Sequence, residues 1–357
     1  MRQFSPYYTL PIDKANYETV EILKADSRAN QAIGELKGIA KTIPNQSMLI
    51  NAVVLQEAKD SSEIENIITS QDELYRAISS SLQMEPAVKE VINYRRALYH
   101  GFSIIEKQGF IRLKDLVKIQ QIILENQAGI RNTPGTVLKN DRTGKVVYTP
   151  PQDEETILTL LSNFLDQFNV ADQGIPPLIN LAILHHQFES IHPFYDGNGR
   201  TGRILNILFL SMNELLDIPI LYLSSYLIQH KDGYYKFLNE VNRKGDWTNW
   251  ILFMLHAIEE TARHTISKID QINAELDHAI KKVKDKQPKL FKKELIELIF
   301  EQPYCKIDFV VDKLGVERKA ASRYLKGLSA VGILSAQKIG RETIYINTGL
   351  FEILKDR

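Results

Sequence analysis

The sequence predicts a mainly α-helical protein with one β-hairpin and a C-terminal winged helix-turn-helix unit. Apolar residues recur at spacings of three and four through most of the chain, as they do on one face of a helix. Residues 131–151 break this pattern with Thr-Pro-Gly and Thr-Gly turns between β-branched segments, which indicates a hairpin. The last 70 or so residues read as three short helices followed by two alternating segments, the order of a winged helix.

The chain has 357 residues, more than a single core usually supports, so several units are expected. From Tyr17 to about Tyr99 the helical spacing is interrupted mainly at Pro44. A later helix places Ile266, Ile269 and further apolar residues on one face and then breaks in a lysine-rich segment, Lys284 to Lys289, which we expect to be a linker. The predicted units are an N-terminal helical region (1–100), a central core (101–262), a helix with the linker (263–289) and the winged unit (290–357).

Individual elements follow from local pattern. In the hairpin, Thr136-Val137-Leu138 and Val146-Val147-Tyr148 are the predicted strands. Residues 178–191 form an apolar helical run, and residues 204–215 form another. The winged unit reads as LFKKELIELIF, FVVDKLG and RKAASRYLKGLSAVGIL, then SAQKIGRETIYI as a strand pair across Gly340.

Composition excludes several classes of protein. The 44 basic and 44 acidic residues balance, so the overall charge gives no reason to expect nucleic acid or an anionic membrane as the main partner. Cys305 is the single cysteine, which rules out an internal disulfide and favours a reducing compartment. No run approaches the ~20 apolar residues that span a bilayer. We therefore expect a cytoplasmic protein with no membrane partner.

Residues 192–203, HPFYDGNGRTGR, carry the chemistry. Gly197-Asn198-Gly199 lies between two helical segments, so loop amides and a helix N-terminus can converge on a phosphate. Arg200 and Arg203 lie three residues apart on one helix face, which suggests a polyphosphate ligand. Asp196 offers a hard oxygen ligand for magnesium, and His192 is suited to general-base catalysis near neutral pH. Phe194 is expected to anchor the loop in the core.

This segment resembles the Fic family pattern HxFx(D/E)GNGRxxR at every fixed position. The resemblance implies a Fic-type helical bundle with a β-hairpin flap and the transfer of AMP from ATP to a Ser, Thr or Tyr hydroxyl of a target protein or of the chain itself, releasing pyrophosphate. Mg²⁺ is the implied cofactor. The implied roles are deprotonation of the hydroxyl by His192, magnesium binding by Asp196, and nucleotide binding by Gly197, Asn198, Gly199, Arg200, Thr201, Gly202 and Arg203, with the two arginines on the β- and γ-phosphates.

The same residues are compatible with two other kinds of site. Gly197, Gly199 and Gly202 also satisfy GxGxxG, but a dinucleotide site needs a preceding strand, and the preceding segment is helical by its period. His185, His186, Glu189 and His192 have spacings that resemble a zinc site, but adjacent histidines point to different faces of a helix.

The resemblance extends to PNQSMLINAVVLQEAKDSSEIEN, which is similar to the N-terminal region of the long bacterial members. SSEIEN matches their inhibitory pattern (S/T)xxxE(G/N), with Ser61, Glu65 and Asn66 at its fixed positions. The implied role of Glu65 is to bind Arg203 and so restrain the enzyme. A carboxylate there removes a phosphate ligand and places negative charge where the γ-phosphate would lie. The alternative is that Glu65 is an ordinary solvated helix residue.

Further contacts are implied more loosely. The hairpin resembles the family's flap, which aligns the target backbone along a strand edge and would place Val147 and Tyr148 beside the nucleotide. The alternative is an ordinary surface hairpin. YYKFLNEVNRKGD resembles the segment that closes the adenine and ribose pocket, so Tyr234 and Asn242 are candidate contacts, although Tyr234 can equally be a core residue.

Other functions and partners stay open at this point. In the winged unit, Arg318, Lys319, Arg323 and Lys326 fall on or near the third helix, with Lys338 and Arg341 on the wing, so DNA is a candidate partner. Residues 291–357 hold only 12 basic and 9 acidic residues, and many winged helices bind protein instead. The alternatives are a DNA-binding regulator with a nucleotide-sensing domain, or an enzyme that transfers another phosphate-containing group or removes AMP. The resemblance also implies a homodimer.

Overall fold

The computed structural model describes residues 8–43, 46–79, 84–139, 144–170, 174–339 and 342–355. Within these ranges the protein is mainly helical, as predicted. The first helices are α1 (Val20–Ala40), α2 (Gln46–Ile64), α3 (Gln71–Ser79), α4 (Pro86–Gln108) and α5 (Leu113–Leu124). The expected break at Pro44 falls outside the described residues, between the end of α1 and the start of α2.

The central part of the chain contains the hairpin and the most buried helices. Its elements are β1 (Leu138–Lys139), β2 (Val146–Tyr148), α6 (Glu154–Asn169), α7 (Pro177–Ile191), α8 (Asn198–Met212), α9 (Leu223–Gln229), α10 (Lys231–Lys244) and α11 (Trp247–Lys286). Every residue of α7 after Pro177 is buried, and so is α8 from Arg200 to Leu210. A helix that is apolar and covered on all sides is held by neighbours all around it, here α6, α11, α4 and α5. The loop that joins α7 to α8 is therefore fixed at both ends.

The predicted hairpin is present. β1 and β2 pair antiparallel, with Leu138 opposite Tyr148 and Lys139 opposite Val146, and the register shifts between the two pairs. The first strand begins at Leu138, so Thr136 and Val137 precede it.

The C-terminal residues form the predicted winged helix-turn-helix. Its elements are α12 (Lys293–Glu301), β3 (Tyr304–Cys305), α13 (Ile307–Leu314), α14 (Arg318–Ala330), β4 (Leu334–Ile339), β5 (Glu342–Asn347) and α15 (Thr348–Lys355). The three strands form an antiparallel sheet in the order β3-β5-β4. The predicted wing residues Gly340 and Arg341 lie outside the described residues. β3 and α15 were not predicted.

The winged unit is packed against the rest of the protein. α11 is 40 residues long and contacts α12 and α15 near its C-terminal end. The segment predicted as a linker, Lys284 to Lys289, begins inside this helix, which ends at Lys286 and is followed after one residue by a 3-10 turn, Pro288–Leu290. That part of the prediction was wrong, because a run of lysines lacks apolar residues without being unfavourable to a helix. No helix among the described residues is long and apolar enough to cross a membrane.

Candidate active site

The loop between α7 and α8 is shaped by two residues in the left-handed region and by one asparagine. His192 ends α7 with φ 48°, and its N–H donates to the Phe188 carbonyl at 3.0 Å. Gly197 precedes α8 with φ 80°, a conformation that glycine adopts without steric cost. The Asn198 side chain accepts from the Phe194 N–H at 2.9 Å and donates to the Phe194 carbonyl at 2.8 Å. The loop is thus closed on itself, and the buried Phe194 anchors it as predicted.

Both arginines of the motif point from α8 to the loop region and are bound by carboxylates. Arg200 is almost fully buried and pairs with Glu90 of α4 at 2.5 Å, with a longer contact of 3.4 Å to Asp196. The Asp196 side chain is 71% exposed. A cationic group with a fixed position and an exposed carboxylate beside it can hold a phosphate together with a metal ion.

Arg203 is bound by the C-terminal end of α2. Its Nε donates to the Ser61 hydroxyl at 2.7 Å, and a terminal nitrogen donates to the Ser61 carbonyl at 2.8 Å and to Glu65 at 2.7 Å. Arg203 is 1% exposed, whereas the Glu65 side chain is 33% exposed. The pairing that the inhibitory pattern implied for Glu65 and Arg203 is therefore present as a contact, and Ser61 is part of it. Asn66, in the left-handed region, is exposed.

The close approach of Glu65 depends on Gly199. A Cβ atom at Gly199 would lie 2.2 Å from a carboxylate oxygen of Glu65 and 2.9 Å from a terminal nitrogen of Arg203. Gly202 faces the other way, since a Cβ there would lie 2.5 Å from the Glu189 carboxylate on α7. Thr201 is completely buried in α8. Of the two glycines, Gly199 borders the site and Gly202 packs against α7.

The charges of the site follow from burial and from Arg203. Burial acts to raise the pKa of Glu65, but the Arg203 guanidinium outweighs it, so the pKa lies below its usual value and Glu65 is ionised at neutral pH. Burial lowers the pKa of His192 to about 4, and the nearby Arg131 guanidinium acts in the same direction. His192 is therefore a neutral imidazole at pH 7, the form that can accept a proton.

Arg131, which the sequence did not single out, holds the backbone of the motif. It is completely buried, and it donates to the carbonyls of His192 at 2.7 Å and Ile191 at 3.3 Å. Its own N–H donates to the Pro193 carbonyl at 2.9 Å. Arg131 stands at the base of the hairpin, so it connects the flap segment to the histidine.

Of the other four residues predicted to contact the nucleotide, three are hydrogen-bonded to residues of α7. Tyr148 is buried, and its hydroxyl donates to the Ser190 carbonyl at 3.0 Å, whereas Val147 is 38% exposed. Asn242 accepts from the Ser190 hydroxyl at 3.2 Å. Tyr234 is 1% exposed and its hydroxyl lies 3.0 Å from His185 Nε2, so the structure places it in the core.

Three further charged residues lie at the site, and only Glu189 was named from the sequence, as a ligand of the alternative zinc site. Glu90 binds Arg200, which lies 110 positions later in the sequence. Glu189 is buried beside Arg203, and burial raises its pKa to about 7. Lys231, at the start of α10, donates to the Ile64 carbonyl at 2.7 Å and so caps the helix that presents Glu65. A periodicity argument does not find Glu90 or Lys231, because each is defined by a contact between distant segments.

Neither of the two other interpretations is supported. The motif glycines follow a helix, so the strand that a dinucleotide fingerprint requires is missing here. Within the described ranges, no group of three or more His, Cys, Asp or Glu side chains is arranged to hold a metal ion. His185 instead pairs with Tyr234, and His186 lies 3.3 Å from the Ser190 hydroxyl.

Comparison with known proteins gives matches along most of the chain. The Fic/DOC family model matches residues 110–210, the Fic/DOC N-terminal model matches residues 23–103, and a model of the C-terminal domain of SoFic-like protein adenylyltransferases matches residues 276–350. A protein adenylyltransferase Fic of Aedes aegypti is 29% identical over 168 residues, which are 46% of this chain and 31% of that protein. The chain thus spans about a third of that relative's length.

Two further matches cover most of the related protein. A Fido domain-containing protein of Dictyostelium discoideum is 31% identical over 131 residues, 35% of this chain and 85% of that protein. A crystal structure of a Fic family protein from Desulfovibrio desulfuricans shares the fold, with a TM-score of 0.60 at 19% identity, covering 96% of this chain and 98% of that one. Motif, fold and matched family models agree, and the chain belongs to the Fic/DOC family.

Proposed function

We propose that this protein is a protein adenylyltransferase that moves AMP from ATP to a hydroxyl of a target protein or of itself, and that Glu65 restrains it. The observation that carries the proposal is the 2.7 Å ion pair between Glu65 and Arg203, a residue of the phosphate-binding motif. The names of the matched relatives and of the C-terminal family model support the choice of AMP transfer.

The phosphate chain of ATP would bind at the N-terminus of α8. The amides that follow Gly197 begin this helix, and its dipole favours an anion there. Arg200 and Arg203 project from the first two turns with their guanidinium groups held by hydrogen bonds. Fixed guanidinium forks are suited to oxygen pairs of the β- and γ-phosphates.

His192 is the proposed base. Its neutral imidazole takes the proton of the target hydroxyl as the hydroxyl oxygen forms a bond to the α-phosphorus. The bond from the α-phosphorus to the bridging oxygen of the β-phosphate breaks, and pyrophosphate leaves. Arg131 fixes the backbone of His192 and so fixes the direction from which the proton is taken.

The residues also fit the magnesium ion that this reaction uses. Asp196 is the only carboxylate of the motif, and its side chain is largely exposed at the edge of the loop. Mg²⁺ usually takes one or two carboxylates together with substrate phosphates, so a single exposed aspartate is a sufficient protein ligand. Bound there, the ion would neutralise charge that develops on the phosphate oxygens.

Restraint by Glu65 follows from the same contacts. While Glu65 occupies a terminal nitrogen of Arg203, that nitrogen is not available to the γ-phosphate, and the carboxylate repels it. Glu65 directly follows α2, whose last turn is held by bonds from Lys231 to the Ile64 carbonyl and from Arg203 to the Ser61 carbonyl, so the carboxylate is positioned rather than free to swing away. A bound nucleotide would then place its γ-phosphate away from the productive position.

The hairpin is the proposed place for the target. Val146 and Val147 of β2 are exposed, whereas Tyr148 is tied to α7 through Ser190. An exposed strand edge beside the site can pair with the backbone of an extended segment, which accounts for recognition with little dependence on the target's sequence.

Intact-mass measurement after incubation with ATP and Mg²⁺ tests the proposal. Glu65→Gly is expected to gain an AMP-sized increment, on itself or on lysate proteins, that wild type gains far more slowly. Glu63→Gly is the matched control, because it makes the same change two residues earlier, in the last turn of α2, where the side chain pairs with Lys59. Adding His192→Ala to Glu65→Gly should abolish the increment.

The outcomes separate the parts of the proposal. A phosphate-sized increment would replace AMP transfer by phosphoryl transfer. Equal labelling by wild type and Glu65→Gly would overturn the role of Glu65, and no labelling by any variant would overturn the activity. Loss of AMP from a pre-labelled protein on adding wild type, but not Glu65→Gly, would identify removal of AMP as the function of Glu65.

A further inference from the structure

The winged unit has a basic groove that the proposed reaction does not use. The groove has a volume of about 1100 Å³ and lies between α14 and the segment that joins α11 to α12. Five cations line it, and we call these the groove cations: Lys289, Lys292, Lys319, Arg323 and Lys326. Among the described residues, no acidic side chain lines it.

The groove cations are not neutralised by ion pairs, although the unit as a whole is nearly balanced in charge. In the part of the chain that the structure describes, none of them lies within 4.0 Å of a carboxylate. The acids of the unit pair with cations elsewhere, as the pairs Lys293–Glu297, Lys306–Glu342, Lys313–Glu301, Arg318–Asp308 and Lys355–Glu352. Five of the nine acids in residues 291–357 are used in this way. The small surplus of positive charge is therefore concentrated on one face.

Three of the groove cations lie on α14, the element that reads DNA in this architecture, and Lys289 and Lys292 lie on the segment that joins α11 to α12. α13 and α14 are joined by a three-residue turn, 315–317, and are followed by the β4–β5 hairpin. In helix-turn-helix proteins the second helix of such a pair enters the major groove. Lys319, Arg323 and Lys326 fall at spacings of four and three, so they share one exposed side of α14 over about 10 Å. Lys338 extends the positive charge to the wing.

Other anionic partners fit this surface less well. Single strands bind by stacking bases on exposed aromatic rings. The aromatic residue of the groove, Tyr324, is 8% exposed and has Lys292 and Arg323 over its ring, at 4.9 Å and 5.7 Å. Membrane surfaces are bound by cations next to exposed apolar side chains. The large apolar side chains that are exposed in the described chain all precede residue 236.

We propose that the groove cations bind the phosphate backbone of duplex DNA. The contact brings α14 to the major groove and leaves the α7–α8 site free, because Arg200, Arg203 and His192 lie on other elements. It does not depend on AMP transfer, so either function can fail without the other.

Fluorescence anisotropy of the full chain with a short labelled duplex of mixed sequence tests the proposal. Each phosphate contact contributes about 0.9 to the slope of log affinity against log salt, so four to five contacts predict a loss on the order of 10²-fold between about 50 and 200 mM salt. Lys319→Ala with Arg323→Ala and Lys326→Ala should flatten the slope by about 2.7. His192→Ala should change neither affinity nor slope.

A matched triple variant distinguishes this face from general attraction to positive charge. Lys107→Ala with Lys114→Ala and Lys118→Ala removes three exposed cations from α4 and α5 and should leave binding within about 2-fold of wild type. Equal loss in both triple variants, or no salt-dependent binding by wild type, would overturn the proposal. Binding to single-stranded RNA or to anionic lipid vesicles in preference to the duplex would also overturn it.

Discussion

Arg203 is held as much by Ser61 as by Glu65. Its Nε hydrogen bond to the Ser61 hydroxyl is buried, and the Ser61 side chain has no exposure at all. Such a bond is worth little while it is formed, because water would otherwise satisfy both groups. It is costly to remove from one side only, since the guanidinium N–H is then left buried without an acceptor.

Ser61→Ala is therefore expected to lower the free energy of unfolding by about 1–3 kcal/mol, measured by urea denaturation. Ser267→Ala is the control, because Ser267 is exposed on α11 and its loss should stay within about 0.5 kcal/mol. If the two variants are equally stable, the Ser61 hydroxyl does not hold Arg203 in solution.

Glu57, on α2, is expected to make the free energy of unfolding depend on pH. It is 1% exposed, and it accepts from the Ser224 N–H at 2.8 Å and from the Tyr94 hydroxyl at 3.1 Å. Burial raises its pKa to about 7, despite the hydrogen bonds from Ser224. Between the pKa of about 4.3 expected in the unfolded chain and the folded value, the folded protein keeps a proton that the unfolded chain loses. Its contribution to stability is thus complete at low pH and is lost as the pH rises to 7.

Glu57→Gln should remove this contribution. Relative to the variant, wild type is expected to lose up to about 1.4 kcal/mol of unfolding free energy per pH unit within that window. Urea denaturation at several values between about pH 5 and pH 8 measures the difference. Glu106→Gln, on the exposed side of α4, should run parallel to wild type. A Glu57→Gln curve that is also parallel would mean that Glu57 is ionised when folded.

At the residue scale the sequence predicted what a local motif can encode. A segment of only twelve residues, 192–203, determines where His192, Asp196 and the loop glycines lie. Glu90 and Arg131 could not be found in this way, because their partners lie 110 and about 60 positions away. Tyr234, for which the sequence left both a nucleotide contact and a core position open, is 1% exposed with its hydroxyl 3.0 Å from His185 Nε2.

Among the helices, two glycines show how packing decides the effect of one added methyl group. Gly101 lies where α4 crosses α8, and a Cβ there would be 2.6 Å from Leu208 Cδ1 and 3.2 Å from Ile119 Cδ1. Both of these side chains are fully buried, so they have little room to move. Gly34 is exposed on α1, with nothing within 4 Å of an added Cβ.

Gly101→Ala is expected to destabilise the fold by about 1–3 kcal/mol through overpacking. Gly34→Ala should stabilise it by about 0.5–1 kcal/mol, because alanine is the better helix former and meets no obstacle. Thermal unfolding of wild type and both variants measures the expected loss of stability in Gly101→Ala and the expected gain in Gly34→Ala. A stable Gly101→Ala variant would show that α4 and α8 can separate slightly.

Element boundaries were predicted where turn residues mark them and missed where they do not. The hairpin and the three helices of the winged unit are bounded by Gly, Pro or polar turns. β3 has only two residues and is a strand solely because Tyr304 and Cys305 pair with β5, which no local pattern reports. The lysines after Val283 extend α11 because their stems favour a helix even where no apolar residue follows.

Across the whole molecule, the winged unit is docked against α2 and α3, the helices on either side of Glu65. Tyr304 of β3 stacks on Tyr75 of α3, with ring centres 5.6 Å apart, and Phe351 of α15 packs against the edge of both rings. Gln71, at the start of α3, donates to the Leu354 carbonyl at 2.9 Å. α3 follows Glu65 by only a few residues, so the winged unit and Glu65 share one support.

Wild type is therefore expected to unfold in a single calorimetric transition. Tyr75→Ala, which removes a ring that is 3% exposed, should cost about 3–5 kcal/mol and let the winged unit melt separately. Tyr235→Ala, at a ring that is 44% exposed, should keep the single transition. Two transitions in wild type would show that the stacked rings do not join the units.

The long helix α11 has a mechanical consequence. Forty residues of α-helix measure about 60 Å, and neighbours support this one along its length: α1, α7, α9 and α10, then α12 and α15. A helix supported in this way keeps its two ends at a fixed separation. A molecule bound at the C-terminal end would thus lie at a fixed distance from the α7–α8 loop, and its effective concentration there would be determined by its own shape rather than by the length of a flexible tether.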